Sequence, residues 1–210
     1  MGIRNIVYDN SGVVTDDIHN VLATVNAMLV DRDLDQIPLE RYRALIVQDF
    51  RSFWTQLGVE DPIASIQREY EREYAQLPIP GLLPGAYATL QFFFENKIPQ
   101  YMVSAQPTEF LLRELATNHV ASFFTEIIGM SRNKTQDLAA LLQRNSANPK
   151  ETVFITDMTC DILAGRACGV HTLAVLSGYH TREQLSTVEL NPANLIPDIT
   201  ALPRWIEHYQ

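Results

Sequence analysis

Five short apolar segments constrain the fold of this chain more than any other feature. They span residues 3–8, 99–103, 125–130, 152–155 and 172–176. Several are apolar almost without interruption, which is typical of parallel strands that are covered on both faces. Residues 108–118, 136–144 and 161–168, between the later segments, have the periodicity of helices. The pattern predicts an α/β fold with a doubly wound, mostly parallel, Rossmann-like sheet of five strands.

A long insertion separates the first predicted strand from the second. It contains three helical stretches, residues 19–31, 39–57 and 62–76. A crossover between parallel strands needs only about a dozen residues, so this insertion is more than a connection. We therefore predict a core domain formed by residues 1–15 and 81–210, and a helical cap domain formed by residues 16–80. The alternative is further core helix, because the apolar stripe around Trp54 would suit either packing arrangement.

The overall charge of the chain argues against polyanionic partners. It has 16 Lys and Arg against 25 Asp and Glu, a formal net charge of −9, and no run of basic residues. We therefore expect no binding to nucleic acid or to a membrane surface. No stretch of about eighteen apolar residues occurs, so no membrane-spanning helix is expected either. Cys160 and Cys168 do not resemble a disulfide framework, so we predict a cytoplasmic protein. We expect it to be a monomer or a homodimer.

Polar side chains follow the first four predicted strands, close to the point where each strand ends. Parallel strands deliver their carboxyl ends to one edge of the sheet, where ligands of such folds bind. The residues at this edge are Asp9, Ser11 and Gly12 after the first strand, Ser104 after the second, Lys134 after the third, and Asp157 and Asp161 after the fourth. Three carboxylates at one edge repel each other, and Mg²⁺, a hard cation with oxygen ligands, would relieve that repulsion.

Four sequence motifs, in order, point to a known family. The segment IVYDNSGVVTD, residues 6–16, is followed by MVS at 102–104, by Lys134, and by FITDMTCD at 154–161. Together they resemble the four motifs of the haloacid dehalogenase superfamily. A helical insertion after the first motif resembles the small cap of the phosphoglycolate phosphatase-like members. The resemblance spans the whole chain and implies a capped α/β hydrolase.

The resemblance also implies roles for individual residues. Asp9 would attack phosphorus and form an aspartyl phosphate, which divides the hydrolysis into two easier steps. Ser104 and Lys134 would hold the transferring phosphoryl oxygens, and Mg²⁺ would neutralise the developing charge. The implied catalytic residues are Asp9, Ser11, Ser104 and Lys134; the substrate-binding residues are Gly12, Ser104, Ala105 and Lys134; the metal ligands are Asp9, Ser11 through its backbone carbonyl, Asp157 and Asp161.

Several side chains at this edge also have an ordinary structural explanation. Asp157 and Asp161 could cap the start of a helix, because Asp often accepts backbone donors there. Lys134 could be a solvated surface lysine, in which case Arg132 is the alternative cation. Ser104 could simply end a strand. For Cys160, which has no neighbouring cation in the sequence, packing is favoured over a reactive thiol.

Ser11 is the main departure from the family pattern. In the phosphatases of the family, an Asp at this position protonates the leaving oxygen and then activates water, and a serine hydroxyl is a poor substitute for it. Three routes would preserve activity: an acidic leaving group, phosphoryl transfer to an acceptor, or a proton supplied by a nearby residue of the insertion. The candidates for that proton are Asp16, Asp17 and His19, for which a role at the start of a helix is the better explanation.

We therefore predict a Mg²⁺-dependent phosphohydrolase that acts on a small phosphorylated metabolite through an aspartyl phosphate on Asp9. A phosphomonoesterase and an acyl phosphatase are both compatible with the motifs. The alternative is a weakly active or inactive binding protein that keeps the fold, as Ser11 suggests. A dehalogenase that attacks carbon is disfavoured, because Ser11 stands where dehalogenases carry Tyr.

Overall fold

The computed structural model describes residues 2–46 and 49–209, and a parallel β-sheet lies at its centre. The strand order is β3-β2-β1-β4-β5-β6, and every neighbouring pair is parallel. The strands are β1 Asn5–Tyr8, β2 Gln100–Val103, β3 Glu126–Ile128, β4 Thr152–Thr156, β5 His171–Val175 and β6 Leu195–Ile196. The predicted fold class is confirmed.

The sheet has one strand more than the sequence predicts. The additional strand, β6, has two residues and pairs at the sheet edge with Ala174 and Val175. Two residues are too few to show an alternating or continuous apolar pattern, so the segment has no recognisable strand signal. Strand β3 is also shorter than the predicted segment 125–130.

The described residues form two compact units, and the smaller one is Asp17–Pro80. Its helices are α1 Ile18–Val30, α2 Leu39–Leu45, α3 Phe50–Gln56 and α4 Ile63–Tyr74. Helix α1 packs against α4. Trp54 is fully buried and meets the ring of Phe53 edge to face. Arg32, which follows α1, forms two 2.7 Å hydrogen bonds with the carboxylate of Glu69 on α4, so apolar packing and an ion pair both hold this unit together.

The single helix predicted for residues 39–57 is wrong. The structure has two helices, α2 and α3, in that range, and residues 47 and 48 between them lie outside the described part of the chain. Helix α2 ends at Leu45, and the following residue, Ile46, has an extended backbone. Asp49 starts α3, because its carboxylate accepts the backbone N–H groups of Arg51 and Ser52. An N-cap of this kind begins a new helix.

The larger unit holds the sheet and the remaining helices. These are α5 Ala86–Glu95, α6 Thr108–Thr117, α7 Lys134–Arg144, α8 Thr159–Ala167, α9 Arg182–Leu185 and α10 Leu202–Tyr209. Successive side chains of β1 enter different apolar clusters. Ile6 packs in the cluster that contains Leu90 of α5 and Leu111 of α6, whereas Val7 packs with Leu138 of α7. Helices therefore cover both faces of the sheet, and its carboxyl edge is left to the loops.

None of the helices in the described ranges is long and apolar enough to cross a membrane.

Candidate active site

The loops at the carboxyl edge of the sheet place the predicted site residues. The backbone N–H of Asp9 donates to Ile155 of β4 (2.9 Å), which continues the β1–β4 pairing beyond the last residue of β1. The N–H of Ser104 likewise donates to Ile128 of β3 (2.8 Å). Both positions therefore have a backbone fixed by the neighbouring strand. The side chains of Asp9 and Ser104 are buried.

Lys134 is the first residue of α7. Asn133 caps this helix, since its side-chain oxygen accepts the backbone N–H of Gln136 (3.1 Å). This cap starts the helix two residues earlier than the predicted stretch 136–144. The ammonium of Lys134 lies 2.5 Å from Oδ2 of Asp9 and 2.6 Å from Oδ2 of Asp161. Lys134 is buried, so the interpretation as a solvated surface lysine is wrong. Arg132, the alternative cation, is exposed.

The charges of this triad shift the pKa values of its members. Burial raises the pKa of Asp9 more than the charge of Lys134 lowers it, and the charge of Asp161 raises it further, to about 7. Burial alone would lower the pKa of Lys134, but the charges of Asp161 and Asp9 outweigh it and raise the pKa. Lys134 therefore stays a cation at neutral pH, and it offsets part of the cost of burying the two carboxylates.

Asp161 is bound to more than the lysine. Its Oδ2 also accepts the hydroxyl of Thr156 (3.0 Å), and the Oγ1 of Thr156 accepts the N–H of Met158 (3.2 Å). Thr156 thus supports Asp161. The Sγ of Cys160 lies 3.6 Å from Oδ1 of Asp161, and burial raises the pKa of this thiol. A raised pKa suits packing rather than a reactive thiolate.

Asp157 lies in the loop after β4, enclosed by two glycines. Its Oδ2 accepts the backbone N–H of Tyr179 (2.6 Å). A Cβ atom on Gly178 would overlap the carboxylate, and one on Gly12 would come within 2.6 Å of Oδ2. Gly12 also has a φ of +72°, a conformation that glycine adopts without strain. Burial, followed by the charge of Asp9, raises the pKa of Asp157.

The turn after Asp9 is tightly hydrogen-bonded. The backbone N–H of Asn10 donates to Oδ1 of Asp9 (2.8 Å), and the carbonyl of Asn10 accepts the N–H of Val14 (2.7 Å). The hydroxyl of Ser177, in the loop after β5, donates to the carbonyl of Gly12 (2.9 Å). Hydrogen bonds within the turn and one from the loop after β5 thereby fix the segment that carries Asp9, Ser11 and Gly12. Ala105, after β2, is exposed.

The comparison with protein families agrees with this arrangement. The model of the haloacid dehalogenase-like hydrolase family matches residues 6–175. This chain belongs to that family. The match confirms the family and the hydrolase class that the four motifs predict.

Individual relatives of this haloacid dehalogenase-like hydrolase include named phosphatases. A phosphoglycolate phosphatase of Pseudomonas syringae pv. syringae (strain B728a) is 26% identical over 212 residues, which cover 94% of this chain and 77% of the relative. A phosphoglycolate phosphatase of Yersinia pseudotuberculosis serotype I (strain IP32953) is 27% identical over 149 residues, 65% of this chain and 64% of the relative.

Solved structures show the same fold. A haloacid dehalogenase-like hydrolase of Streptococcus pneumoniae superimposes with a TM-score of 0.87 at 18% identity and covers 99% of both chains. A structure described as a predicted phosphoglycolate phosphatase of Haemophilus somnus 129PT gives a TM-score of 0.83 at 18% identity, over 96% of this chain and 97% of that one. At these identities the comparison establishes the fold alone.

Some residues of this edge were missed by the sequence analysis. The sequence did not predict that Thr156 holds Asp161 or that the N–H of Tyr179 bonds to Asp157. Tyr179 follows the fifth predicted strand, so its place at the carboxyl edge was a usable signal. Gln106, three residues after β2, had the same signal, whereas Glu114, on α6, had none; both contact the side chain of Asn10.

The donor set at this edge of the haloacid dehalogenase-like hydrolase suits Mg²⁺. Asp9 and Asp157 are buried carboxylates, and the charge of the first raises the pKa of the second, a repulsion that a cation would relieve. Over residues 2–46 and 49–209, no group of three or more His, Cys, Asp and Glu side chains is arranged to hold a metal ion. Mg²⁺ does not need one, because it usually binds one or two carboxylates together with water and substrate phosphate.

Proposed function

We propose that this hydrolase is a Mg²⁺-dependent phosphohydrolase that acts on a small phosphorylated metabolite through an aspartyl phosphate on Asp9. The observation that carries the proposal is the position of the Lys134 ammonium, 2.5 Å from one oxygen of the buried Asp9 carboxylate. A buried carboxylate held by a cation at the ligand-binding edge of the sheet is oriented as a nucleophile. The two relatives named phosphoglycolate phosphatase support phosphorus as the atom attacked.

In this mechanism the Asp9 carboxylate attacks phosphorus, and the bond from phosphorus to the leaving oxygen breaks. Water then attacks the phosphorus of the aspartyl phosphate, which releases inorganic phosphate and restores Asp9. Lys134 holds Asp9 in place and offsets negative charge on the phosphoryl group, and the hydroxyl of Ser104 contacts a phosphoryl oxygen. Mg²⁺, when bound, neutralises charge that develops on the transferring group.

The contacts divide the acidic residues between two roles. We assign Mg²⁺ binding to Asp9, Asp157 and the backbone carbonyl of Ser11. Asp161 was also predicted as a ligand, but its Oδ2 accepts both Lys134 and Thr156. We therefore assign Asp161 to holding Lys134. The unit Asp17–Pro80 is proposed as the cap that determines which metabolite is accepted.

Ser11 limits the range of substrates in this proposal. Without a carboxylic acid at this position, departure of a poor leaving group lacks a proton donor. Phosphate compounds with acidic leaving groups, such as acyl phosphates, need no such donor and are the substrates we expect to be turned over best. Ser11 is also the observation that favours a second candidate, a binding protein that recognises the same metabolites without turnover.

Release of inorganic phosphate tests the proposal. Acetyl phosphate, p-nitrophenyl phosphate and a set of sugar phosphates are incubated with the wild type and with Asp9→Asn, each with Mg²⁺ and with EDTA. Asp35→Asn, a change of the same type at an exposed position, is the matched control. We expect release that requires Mg²⁺, survives Asp35→Asn and is lost in Asp9→Asn. Release that persists in Asp9→Asn would overturn the assignment of the nucleophile, and no release from any compound would favour the binding protein.

A further inference from the structure

A cluster of two amides and a carboxylate lies beside the turn that follows Asp9. It consists of Asn10, Gln106 and Glu114, and we call it the amide–carboxylate cluster. Nδ2 of Asn10 donates to Oε1 of Gln106 (3.0 Å) and to Oε2 of Glu114 (3.4 Å). Nε2 of Gln106 donates to Oε1 of Glu114 (2.6 Å). Glu114, on α6, and Asn10 are both buried. Both oxygens of a buried carboxylate therefore accept from amides of two loops that are distant in the sequence.

The hydrogen-bond pattern allows only one orientation for each amide. The Asn10 amide group faces two acceptor oxygens, so exchanging its nitrogen and oxygen would place acceptors against each other. The same holds for Gln106, whose nitrogen faces the carboxylate. As a result, Oδ1 of Asn10 is buried with no hydrogen-bond partner within the described residues. An unsatisfied buried acceptor lowers stability, so the stability of the fold alone does not account for Asn10 at this position.

The cluster is connected to the reactive groups on both sides. The backbone N–H of Asn10 donates to Oδ1 of Asp9 (2.8 Å), the oxygen opposite the one that Lys134 holds. The backbone N–H of Gln106 donates to Oγ of Ser104 (3.2 Å), and its carbonyl accepts the N–H of Met130 after β3 (2.6 Å). A shift of either amide side chain would thus move a backbone group that contacts Asp9 or Ser104.

We infer that Gln106 and Glu114 are positioning residues, which fix the Asn10 side chain and thereby set the distance between the Asp9 carboxylate and the Ser104 hydroxyl. The inference rests on the proposed function, because it concerns the geometry of that phosphoryl-transfer site. Neither residue is assigned a contact with the substrate. Their contribution is to hold the two loops in register while the phosphoryl group, one oxygen of which Ser104 contacts, is transferred to Asp9 and then to water.

Exchanging the side-chain amide of Gln106 and the carboxylate of Glu114 tests the inference. Glu114→Gln places an amide nitrogen against one of the neighbouring amide donors, and Gln106→Glu places one carboxylate against another. The double variant, Glu114→Gln with Gln106→Glu, restores a matching pattern, because amide and carboxylate have only changed places. Glu109→Gln, at an exposed position of the same helix, is the matched control. The assays are steady-state kinetics with acetyl phosphate and Mg²⁺ and, for each variant, the thermal midpoint.

We expect each single variant to lower kcat by about ten- to a hundredfold, as small displacements of reacting groups do, with a smaller change in KM. The double variant should recover most of kcat, and Glu109→Gln should match the wild type. A kcat that stays within about twofold of the wild type in stably folded single variants, or a double variant no better than the singles, would overturn the inference.

A second measurement separates this inference from the proposed function. The NMR chemical shift and exchange protection of the Asn10 backbone amide, which bonds to Asp9, are recorded for the same variants. Glu114→Gln should shift this signal and reduce its protection, and the double variant should restore it, whether or not the wild type turns over any phosphate. Unchanged Asn10 signals in both single variants would exclude positioning, even if phosphatase activity is established.

Discussion

The ammonium of Lys134 lies 2.5 Å from Oδ2 of Asp9, although the two residues are 125 positions apart in the sequence. Asp9 follows β1, and Lys134 is the first residue of α7, which packs over one face of the same sheet. The contact thus depends on the whole arrangement of strands and helices in the larger unit. It also provides the cation that two buried carboxylates, Asp9 and Asp161, require.

Replacing Lys134 should reveal how much free energy it costs to bury the two carboxylates without their cation. Lys134→Met keeps the length of the side chain and removes its charge, so Asp9 and Asp161 lose their common partner. Removing one partner of a buried ion pair typically costs about 3–5 kcal/mol. We expect urea unfolding at pH 7 without metal to show a loss of this order. Lys150→Met, at an exposed lysine, should unfold like the wild type. Equal stability of Lys134→Met and Lys150→Met would show that the ion pairs do not hold the site together.

The raised pKa of Asp9 leads to a prediction about pH. Burial lifts this pKa from 3.8 to about 7 in the folded protein, so the folded state holds the proton more tightly than the unfolded state. The contribution of this group to stability is therefore fully present below the unfolded pKa and is lost as the pH rises through the folded pKa. Asp9→Asn cannot ionise and should not show this loss.

The measurement is the free energy of unfolding of the wild type and of Asp9→Asn in EDTA between pH 4.5 and 8. As the pH rises across this range, the free energy of unfolding of Asp9→Asn should increase relative to that of the wild type. Most of this relative increase should occur below pH 7. Asp35→Asn is the control for a lost surface charge. A constant difference between wild type and Asp9→Asn over the whole range would mean that Asp9 ionises as easily in the folded protein as in the unfolded one.

The sequence indicated which residues lie at the carboxyl edge of the sheet, but it did not reveal the hydrogen bonds between buried side chains near that edge. Near-continuous apolar runs locate strands, and parallel strands bring their carboxyl ends together, so Asp9 and Asp157 were assigned to one edge without a structure. Glu114 could not be found in the same way. It is a single carboxylate on the buried face of α6, and a lone polar residue in a helical pattern carries no information about distant partners. The extra strand β6 was missed because two residues form no pattern.

Binding of Mg²⁺ should stabilise the protein, and the effect should depend on the enclosure of Asp157. A ligand that binds only the folded state adds about 2.7 kcal/mol when its concentration is a hundred times its Kd. We expect the thermal midpoint of the wild type to rise with added MgCl₂ and that of Asp157→Asn to stay nearly constant. Gly178→Ala should also lose the response, because its Cβ would overlap the Asp157 carboxylate.

The control for the glycine is Gly81→Ala, where an added Cβ meets no atom within 4 Å. This variant should keep the full response to MgCl₂, and NaCl at matched ionic strength corrects for screening of charges. An undiminished Mg²⁺ response in both Asp157→Asn and Gly178→Ala would place the metal away from Asp157. Loss of the response in Gly178→Ala alone would mean that the added methyl group, rather than a missing ligand, closes the site.

Restoring a carboxyl group at position 11 should change which substrates are turned over. In Ser11→Asp the new carboxylic acid can protonate a leaving oxygen and then accept a proton from water, a contribution typically worth about 10²- to 10⁴-fold. The gain should appear in kcat for alkyl phosphates such as sugar phosphates, whose leaving groups need a proton. Acetyl phosphate, with its acidic leaving group, should gain much less in the first step.

The quantity to compare is the ratio of kcat/KM for a sugar phosphate to kcat/KM for acetyl phosphate. It is measured for the wild type and for Ser11→Asp, with Ser11→Asn as the control of similar size. A rise in this ratio for Ser11→Asp alone would show that the missing acid limits the natural protein. An equal ratio in all three proteins would mean that another group already supplies the proton, and Asp16, Asp17 and His19 would then be replaced one at a time in the wild-type background.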